Sequence, residues 1–402
     1  MPQKKLIHIV GGGFHQVPLV EIAKAMGFRV LVTDMFKNPP ARALADHFER
    51  IDTVHKEDTL KCAQKYGVDY VVTDMTDVAV STVAYIAESL GLPGIGYETA
   101  LRFTNKYVMR KALQEAFAAH LPETHYFERP EDAVDFYRES GHLDEYVVKP
   151  VNSQGSRGVF LLGEDGVHSD ELIYAAFAES RERGILLETF VPGAEYSAET
   201  FVRDGKVHNL TLTKKYHYSQ NPCIDERNTF LGDLAPELEN AIFTVNERIV
   251  TALGLRFGNT HAEYKVNSSG IYLMEIAARS AGGSIGSKII PFLTGFHSLR
   301  ALLNVLTDRP FEIAIQDYRK RFAVLRFFNF PVGRVKRIFV NKKITQKLMA
   351  FTLTDYLEEG GYVRPIKDSR DRLGYFVVSG TDRDDVLRWE KQAEMAVQLE
   401  YY

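Results

Sequence analysis

The sequence predicts a mixed α/β and α+β protein made of three closely packed units. Over residues 1–103, short apolar runs alternate with helical patterns, which is typical of a doubly wound parallel sheet. Over residues 104–308, strand-like runs separated by glycine follow one another with few helices between them, which indicates an antiparallel α+β unit. Residues 309–402 combine a strand-rich segment, a basic run and a final helix, and these predict a small α+β cap.

The length and composition indicate a globular chain without a bulk electrostatic partner. The chain has 402 residues, of which 45% are apolar and 25% charged, and this length exceeds what one ordinary core accommodates. A formal net charge of −4 argues against nucleic acid or an anionic membrane as a partner. Cys62 and Cys223 are the only cysteines, which excludes a disulfide framework and a cysteine-based zinc site.

The first apolar run, Leu6–Val10, is too short for the core of a signal peptide and ends at glycines without a small-residue cleavage site. We therefore expect a first β-strand at this position. No uninterrupted apolar stretch approaches the roughly 18 residues that span a bilayer. These observations predict a cytoplasmic protein without a membrane partner.

Turn and capping residues divide the units into elements. In the first unit, the predicted strands are Leu6–Val10, Arg29–Thr33 and Tyr70–Thr73, and the predicted helices are Val17–Met26 and Val78–Leu90. In the second unit, the predicted helices are Lys106–His120, Pro130–Ser140 and Leu234–Leu253, and the predicted strands are Tyr146–Pro150, Gly158–Leu162, Ile185–Phe190, Ser197–Val202, Val207–Thr213, His261–Val266 and Ile271–Ile276. In the cap, we predict strands at Arg321–Phe328, a solvated strand face in the basic run Arg334–Lys347, and a helix from an N-cap at Thr381 to about Leu399.

The glycines at 11–13 follow the first strand, and Asp34 closes the second, as in a dinucleotide-binding fingerprint. That fingerprint needs a third glycine three residues after the second, where helix and strand approach closely. Gln16 occupies this position, and Pro18 follows it. The hypothesis of an NAD- or FAD-dependent enzyme therefore rests on this loop alone. A small anion at the helix N-terminus, or a tight turn without a ligand, fits the residues better.

The segment His261–Arg279 predicts a β-hairpin that brings two carboxylates together. Two strand-like runs flank Ser268–Gly270, a loop with glycine where a left-handed conformation is needed. Folding about Ser269 sets Glu263 directly opposite Glu275, and opposed like charges destabilise a sheet. A divalent cation would compensate, because Mg²⁺ takes carboxylate and phosphate oxygens as ligands. A solvent-exposed hairpin face is the alternative.

Further basic residues and a second small-residue loop point to a phosphate-bearing ligand. Arg279, four residues after Glu275, could stabilise phosphate charge or simply pair with the two glutamates. The loop Ser153–Gly158 joins two apolar strands, and its backbone N–H groups could wrap phosphate oxygens. Lys149 before this loop and Lys106 at a helix start could add point charges. A flexible hairpin tip is the alternative for the loop.

Taken in order, these segments resemble the ATP-grasp superfamily over nearly the whole chain. The resemblance is to the carbamoyl-phosphate-synthetase-like branch that includes L-amino-acid ligases and other carboxylate–amine ligases. It implies a pre-ATP-grasp domain at 1–103, a two-lobed ATP-grasp domain at 104–308 and a C-terminal cap at 309–402. The segments Glu358–Pro365 and Arg372–Gly380 resemble that cap.

The resemblance implies ATP with Mg²⁺ or Mn²⁺ as cofactors and assigns roles to single residues. Lys106 and Lys149 match the lysines that hold nucleotide phosphates, and Glu263 and Glu275 match the metal ligands. The loop residues expected over the phosphates are Ser153, Gly155, Ser156 and Gly158, and those expected at adenine and ribose are Glu188, Thr189, Val191 and Glu195. Arg279 matches the arginine that faces an acyl phosphate, so Arg279 and Lys149 are the expected catalytic residues.

The implied reaction joins a small-molecule carboxylate to an amine through an acyl phosphate, with release of ADP and phosphate. A homodimer is implied by the same resemblance. Ala277 stands where many relatives have a metal-binding asparagine, so water or substrate would complete the metal shell. Two alternatives stay open: an ATP- and bicarbonate-dependent carboxylase, which Ala277 disfavours, and an ATP-binding protein without catalysis.

Several polar residues receive no role from the sequence. His15, Asp74 and His217 either line a substrate pocket between the units or are solvated residues at strand ends. The segment Lys214–Tyr218 either contacts an acidic substrate or forms a surface strand.

Overall fold

The computed structural model describes residues 4–141, 145–163 and 168–402. These residues form a four-stranded parallel sheet, a four-stranded antiparallel sheet, an eight-stranded antiparallel sheet and a three-stranded sheet. The predicted combination of α/β and α+β architecture is therefore confirmed.

The N-terminal unit is a parallel sheet between helices. Its strands are β1 (Leu6–Val10), β2 (Arg29–Asp34), β3 (His47–Arg50) and β4 (Tyr70–Val72), in the spatial order β3-β2-β1-β4. Its helices are α1 (Val17–Ala25), α2 (Lys56–Tyr66) and α3 (Asp77–Ser89). Strand β3 was not predicted, because its sequence HFER contains a single apolar residue, Phe48, which is too few for an alternating apolar pattern.

The glycine-rich turn after β1 is closed by the protein itself. The Gly12 N–H donates to Asp34 Oδ2 at 2.8 Å, and the same carboxylate accepts from the Phe36 N–H. A Cβ on Gly12 would lie 2.9 Å from Val32 Cγ1 and 3.1 Å from Pro39 Cγ. The turn is thus built for close packing, and Asp34, the residue that would bind a ribose, is already engaged.

The second unit begins with four helices and a small antiparallel sheet. The helices are α4 (Tyr97–Thr104), α5 (Lys106–Phe117), α6 (Pro130–Glu139) and α7 (Ser169–Ala178). The strands β5 (Thr124–Phe127), β6 (Tyr146–Pro150), β7 (Phe160–Leu161) and β8 (Ile185–Thr189) pair in the order β5-β8-β6-β7.

The central eight-stranded sheet joins the second unit to the cap. Its strands from the second unit are β9 (Ala194–Arg203), β10 (Lys206–Tyr218), β11 (Asn221–Phe230), β12 (Gly258–Asn267) and β13 (Gly270–Ala277). The cap adds β14 (Phe322–Phe327), β16 (Ala350–Leu353) and β18 (Gly374–Gly380) to the same sheet, in the order β13-β12-β9-β10-β11-β14-β18-β16. Helices α8 (Pro236–Leu253), α9 (Ile290–Thr294) and α10 (Ser298–Leu306) accompany it. One sheet therefore crosses the predicted boundary at residue 309. The predicted domain boundaries stay predictions.

The end of the chain differs from the prediction. Helix α12 spans Arg383–Ala393 with Asp382, not Thr381, as its capping side chain, and strand β19 (Val397–Tyr401) follows. Strand β19 pairs with β15 (Gly333–Val340), which also pairs with β17 (Tyr362–Val363). The short helix α11 (Lys342–Thr345) ends the basic run. The predicted solvated face of this run is confirmed, because Arg334, Lys336 and Arg337 on β15 are exposed.

The hairpin of β12 and β13 reaches the predicted pairing by a different route. Its turn has two residues, because Asn267 pairs with Gly270, which shifts the register by one residue from that of a turn centred on Ser269. A bulge restores the register, since Glu263 pairs with Glu275 whereas Tyr264 pairs with Leu273. The two glutamates therefore face each other as predicted.

One hydrophobic core runs from the N-terminal sheet into the central sheet. It includes residues of β1 and α1, such as Ile9 and Leu19, together with Leu302 on α10 and Tyr375 on β18. Among the described residues, no individual helix is long and apolar enough to cross a membrane, whereas the bent pair α9–α10, counted with the turn that starts at Ile285, passes by length and composition.

A buried ionic triad fixes α5 against the small antiparallel sheet. Arg110 Nε lies 2.7 Å from Glu188 Oε1, and Lys149 pairs with the other oxygen of the same carboxylate. Burial alone would raise the pKa of Glu188, but Arg110 and Lys149 outweigh it and lower the pKa to about 2. Arg110 also donates to the carbonyl of Met274 in the hairpin bulge at 2.9 Å. The triad thus connects helix, sheet and hairpin.

Glu188→Gln should destabilise the protein at neutral pH, because two buried cations lose their carboxylate. Breaking a buried pair costs about 3–5 kcal/mol. The depressed pKa of Glu188 gives stability that is complete above its ordinary pKa of 4.5 and is lost as the pH falls through about 2. The difference in unfolding free energy between wild type and variant should therefore shrink from pH 5 to pH 3, as measured by urea denaturation. Glu123→Gln, at an exposed site on the neighbouring chain segment, is the matched control. Equal stability of wild type and Glu188→Gln at pH 7 would contradict this account.

Candidate functional site

The opposed glutamates of the hairpin are each neutralised by a lysine. Lys215 Nζ lies 2.6 Å from Glu263 Oε1, and Lys106 Nζ lies 2.9 Å from Glu275 Oε1. These lysines come from β10 and from the first turn of α5. The sequence pointed to a divalent cation as the compensating charge, and it did not reveal these two lysines, which lie far away along the chain. The metal site itself stays a prediction.

The donor set still fits a hard cation. Within the part of the chain that the structure describes, Glu263 and Glu275 accept hydrogen bonds through their Oε1 atoms, and their Oε2 atoms accept none. Mg²⁺ is commonly bound by one or two carboxylates together with water and substrate phosphates. Within the described residues, no group of three or more His, Cys, Asp or Glu side chains is arranged around one metal position. Phosphate and water would therefore complete the shell, as Ala277 led us to expect.

Lys215 is the centre of a second buried network. It contacts Glu195 at 2.8 Å as well as Glu263, and Lys265 and His217 approach the other oxygen of Glu195 at 3.0 and 3.1 Å. Burial opposes ionisation of Glu195, but Lys215 and His217 outweigh it and hold the pKa of Glu195 below its usual range. Glu195, predicted to hold a ribose, thus also anchors three basic side chains. His217 is its half-buried partner rather than a fully solvated residue.

His261 closes this network at the hairpin. Its Nδ1 atom contacts Glu199, and its Nε2 atom lies 3.1 Å from Glu263. Burial opposes the charge on the imidazole, but the two carboxylates outweigh it and raise the pKa of His261 to about 9. The side chain is therefore an imidazolium at neutral pH and orients Glu263. Sequence reasoning placed His261 only at the start of a strand.

Arg279 is held by the N-terminal unit. Its guanidinium forms a bidentate pair with Asp77 at 2.8 and 3.0 Å, and its Nη1 atom donates to the Ser280 carbonyl. Asp74, in the loop before Asp77, accepts from the Ser280 N–H at 2.9 Å. The pairing of Arg279 with the hairpin glutamates, considered above, is thus replaced by a pairing with Asp77. The sequence offered one signal for Asp77: it follows the carboxyl end of the parallel strand β4, where ligands commonly bind in such sheets.

The loop at 153–158 contacts every unit around it. Lys106 Nζ donates to the Ser153 carbonyl at 2.9 Å, and Ser156 Oγ donates to the Cys223 carbonyl at 2.8 Å. Gln154 accepts from the Asp77 N–H at 3.0 Å. The Ser369 N–H of the cap donates to the Gly155 carbonyl at 3.2 Å, and Gly155 has a φ of +66°. The loop is therefore docked over the cleft and joined to both flanking units.

One cleft collects almost all of the predicted site residues. Those that line it are Lys106, Lys149, Ser153, Gly155, Ser156, Glu188, Thr189, Val191, Glu195, Glu263, Glu275 and Arg279. Gly158 lies outside this lining: it packs against Pro150 and Glu179, where an added Cβ would approach to 2.9 and 3.0 Å. Its glycine is required by close packing and a φ of +69°. The expected place of Gly158 in the loop over the phosphates stays a prediction.

In the segment 188–191, the hinge expected at the adenine, two backbone donors are already used. The Thr189 N–H donates to the Glu123 carbonyl at 3.0 Å, and the Phe190 N–H donates to the Glu145 carbonyl at 2.7 Å. The carboxylate of Glu188 is engaged by Arg110 and Lys149. The role of Glu188 that the structure supports is to position Lys149, and adenine recognition by the hinge stays a prediction.

A wider cleft opens on the other side of Arg279. It shares Gly155, Lys215, Asp225, His261, Glu263, Arg279, Ser369 and Arg372 with the first cleft. His15 lines this wider cleft, in agreement with the alternative that placed it in a pocket between the units. Asp74 is buried instead and accepts from the Ser280 N–H. Its cap wall combines the apolar residues Leu325, Phe327, Leu353 and Tyr375 with polar ones such as Thr352, Asp355 and Arg372. Two joined clefts, one rich in ionic groups and one mixed, therefore meet at Arg279.

Comparison with known proteins identifies the domain that forms this site. Residues 144–288 match the ATP-grasp domain family. The phosphoribosylamine–glycine ligase of Pyrococcus horikoshii is 24% identical over 294 residues, which are 67% of this chain and 65% of that protein. The L-arginine-specific L-amino acid ligase of Bacillus subtilis is 23% identical over 340 residues, which are 81% of this chain and 79% of that protein. The chain thus spans just under two thirds of the length of the first of these relatives.

Solved structures show the same fold. The L-amino acid ligase from Bacillus licheniformis superposes with a TM-score of 0.79 at 22% identity, over 100% of both chains. The N5-carboxyaminoimidazole synthetase from Staphylococcus aureus complexed with ADP superposes with a TM-score of 0.70 at 16% identity, over 98% of both chains. Residues 144–288 therefore form an ATP-grasp domain, and the chain is similar in sequence and in fold to the ligases named above.

Proposed function

We propose that the protein is an ATP-dependent carboxylate–amine ligase that forms an amide through an acyl phosphate and releases ADP and phosphate. One observation carries this proposal. Lys106, Lys149, the two opposed glutamates and Arg279 line one cleft, and a second, wider cleft lies beside it. The first cleft suits a nucleotide triphosphate, and the second suits the two organic substrates. The names of the relatives support the ligase class.

The residues of the first cleft are suited to position and neutralise a polyphosphate. Lys106 and Lys149 are buried lysines whose ammonium groups reach the cleft from different elements. Glu263 and Glu275 would hold Mg²⁺, which supplies neutralising charge between phosphate oxygens when it is bound. Phosphoryl transfer depends mainly on such positioning and electrostatic stabilisation.

Arg279 occupies the junction where the carboxylate substrate would meet the nucleotide. Fixed by Asp77, its guanidinium can stabilise the negative oxygens that develop when a carboxylate attacks the terminal phosphorus and when an amine attacks the acyl phosphate. The docked loop at 153–158 would exclude water, which otherwise hydrolyses the intermediate. A cytoplasmic location and a homodimer accompany this proposal as expectations.

An ATP- and bicarbonate-dependent carboxylase is the second candidate, favoured by the structural similarity to N5-carboxyaminoimidazole synthetase. A phosphate-release screen that crosses a carboxylate library with an amine library, in the presence of ATP and Mg²⁺, separates the candidates. The ligase releases ADP and phosphate only with both an acid and an amine. Release that requires bicarbonate would favour the carboxylase, and AMP with pyrophosphate would contradict both.

Glu275→Gln should lower the turnover number on the order of 100-fold or more, because it removes a ligand charge from the metal. The fold should survive, since the amide oxygen of the introduced glutamine still accepts from Lys106. Phosphate release and the melting temperature measure the two effects. Glu400→Gln, which breaks a surface pair with Lys336, is the control. Wild-type turnover of Glu275→Gln would refute the metal assignment.

Asp77→Asn should separate ATP hydrolysis from ligation, because a loosened Arg279 no longer holds the acyl phosphate for the amine. A displacement of about 1 Å can cost about 100-fold in rate. The ratio of amide formed to ATP consumed should fall well below that of wild type, while the KM for ATP changes little. Asp58→Asn, an exposed acid paired with Lys61 on α2, is the control. An unchanged ratio in Asp77→Asn would show that Asp77 does not position Arg279.

A further inference from the structure

A third cavity adjoins the first cleft, which we call the nucleotide cleft after the function proposed above. Four helices begin around this cavity. The first residues of α2, α3, α4 and α5 all line it, namely Lys56, Asp77, Tyr97 and Lys106. We call it the helix-start cavity. The positive ends of four helix dipoles therefore converge on one space, which favours an anion. The first N–H groups of three helices are already capped by Gln154, Glu88 and Asn105. Side-chain cations would therefore make the contacts.

Two cations at the helix-start cavity lack an acidic partner. Within the described part of the chain, neither Lys56 nor Arg181 forms an ion pair with a carboxylate, and both line the cavity. The Lys56 ammonium is held in place by the Tyr97 hydroxyl at 3.0 Å and lies 4.7 and 4.8 Å from the ring centroids of Tyr85 and Tyr97. In the adjacent cleft, by contrast, Lys149, Lys215, Lys265, Arg279 and Arg372 are all paired with acids.

The acids that line the helix-start cavity are already occupied. Asp77 is paired with Arg279, and Glu275 with Lys106. Glu182 accepts a hydrogen bond from the Asn105 side chain at 2.8 Å. Asp77 and Glu275 are thereby neutralised, whereas the neutral amide of Asn105 leaves the charge on Glu182. Lys56 and the exposed Arg181 then outnumber Glu182 by one positive charge. An ammonium group would be repelled there, so an anion is the ligand that the charges select.

The helix-start cavity adjoins the position expected for the terminal phosphate. Asp77, Lys106, Ser153 and Glu275 line both this cavity and the nucleotide cleft. The hydroxyl group of Ser81 adds a hydrogen-bond donor for an oxyanion, whereas that of Thr104 already donates to the Ala100 carbonyl. ADP and the amide would fill the other two clefts at the end of the reaction, so phosphate needs its own route.

We propose that the helix-start cavity binds the inorganic phosphate released from the acyl phosphate when the amine displaces it. The inference rests on the proposed ligase function. Lys56 and Arg181 are the contacting cations, and Lys106 stands between the cavity and the nucleotide cleft.

Calorimetric titration of inorganic phosphate into the full chain, saturated with ADP and Mg²⁺, tests the proposal. We expect one phosphate per chain, and we expect Lys56→Met to weaken its binding by about tenfold or more, because a charge-assisted contact is lost. The ADP affinity of Lys56→Met should stay within about twofold of wild type. Lys61→Met, on the exposed part of the same helix, is the matched control and should bind phosphate as wild type does.

Each further outcome has a defined meaning. Equal phosphate affinity in wild type and Lys56→Met would overturn the proposal. So would a loss of phosphate binding in Lys149→Met without a loss in Lys56→Met, because phosphate would then occupy the nucleotide cleft. A chain that binds no ADP would refute the proposed function instead. In that case phosphate titration of the nucleotide-free wild type and Lys56→Met still tests the cavity.

Discussion

The site depends on how the hairpin of β12 and β13 tolerates two opposed carboxylates. Like charges across a β-ladder repel, and burial makes each charge costlier. The protein answers with Lys215 from the neighbouring part of the sheet, Lys106 from α5 and His261 beside Glu263. These partners leave one oxygen of each glutamate without a protein donor among the described residues. The same arrangement that makes the hairpin stable would therefore suit the proposed binding of a metal together with phosphate.

The N-terminal unit contributes to the site through its β4–α3 loop. Asp77 holds Arg279 by its carboxylate and the loop at 153–158 by its backbone N–H, while Asp74 holds Ser280. A movement of this loop would thus shift both the arginine and the cover of the nucleotide cleft. Through these contacts the unit, which lacks a complete dinucleotide-binding fingerprint, is joined to the segment that follows β13 in the central sheet.

Local features of the fold and site could be predicted from the sequence, whereas their long-range partners could not. Alternation and turn residues placed the hairpin and its facing glutamates, although a two-residue turn and a bulge replaced the expected three-residue turn. Arg110, Lys215 and Asp77 contact their site partners across 78, 48 and 202 residues, and no periodic pattern encodes such contacts. The final strand was missed although Val397–Tyr401 alternates between apolar and polar residues, because the preceding helical pattern was extended through it.

The central claim is that the opposed glutamates and two buried lysines bind a metal–nucleotide. A crystal structure of the full chain with Mn²⁺ and a non-hydrolysable ATP analogue tests it directly, since anomalous scattering locates the metal. The account predicts Mn²⁺ within coordination distance of Glu263 and Glu275, and analogue phosphates in contact with Lys106 and Lys149. A metal bound away from both glutamates, or phosphates remote from Lys149, would contradict the account.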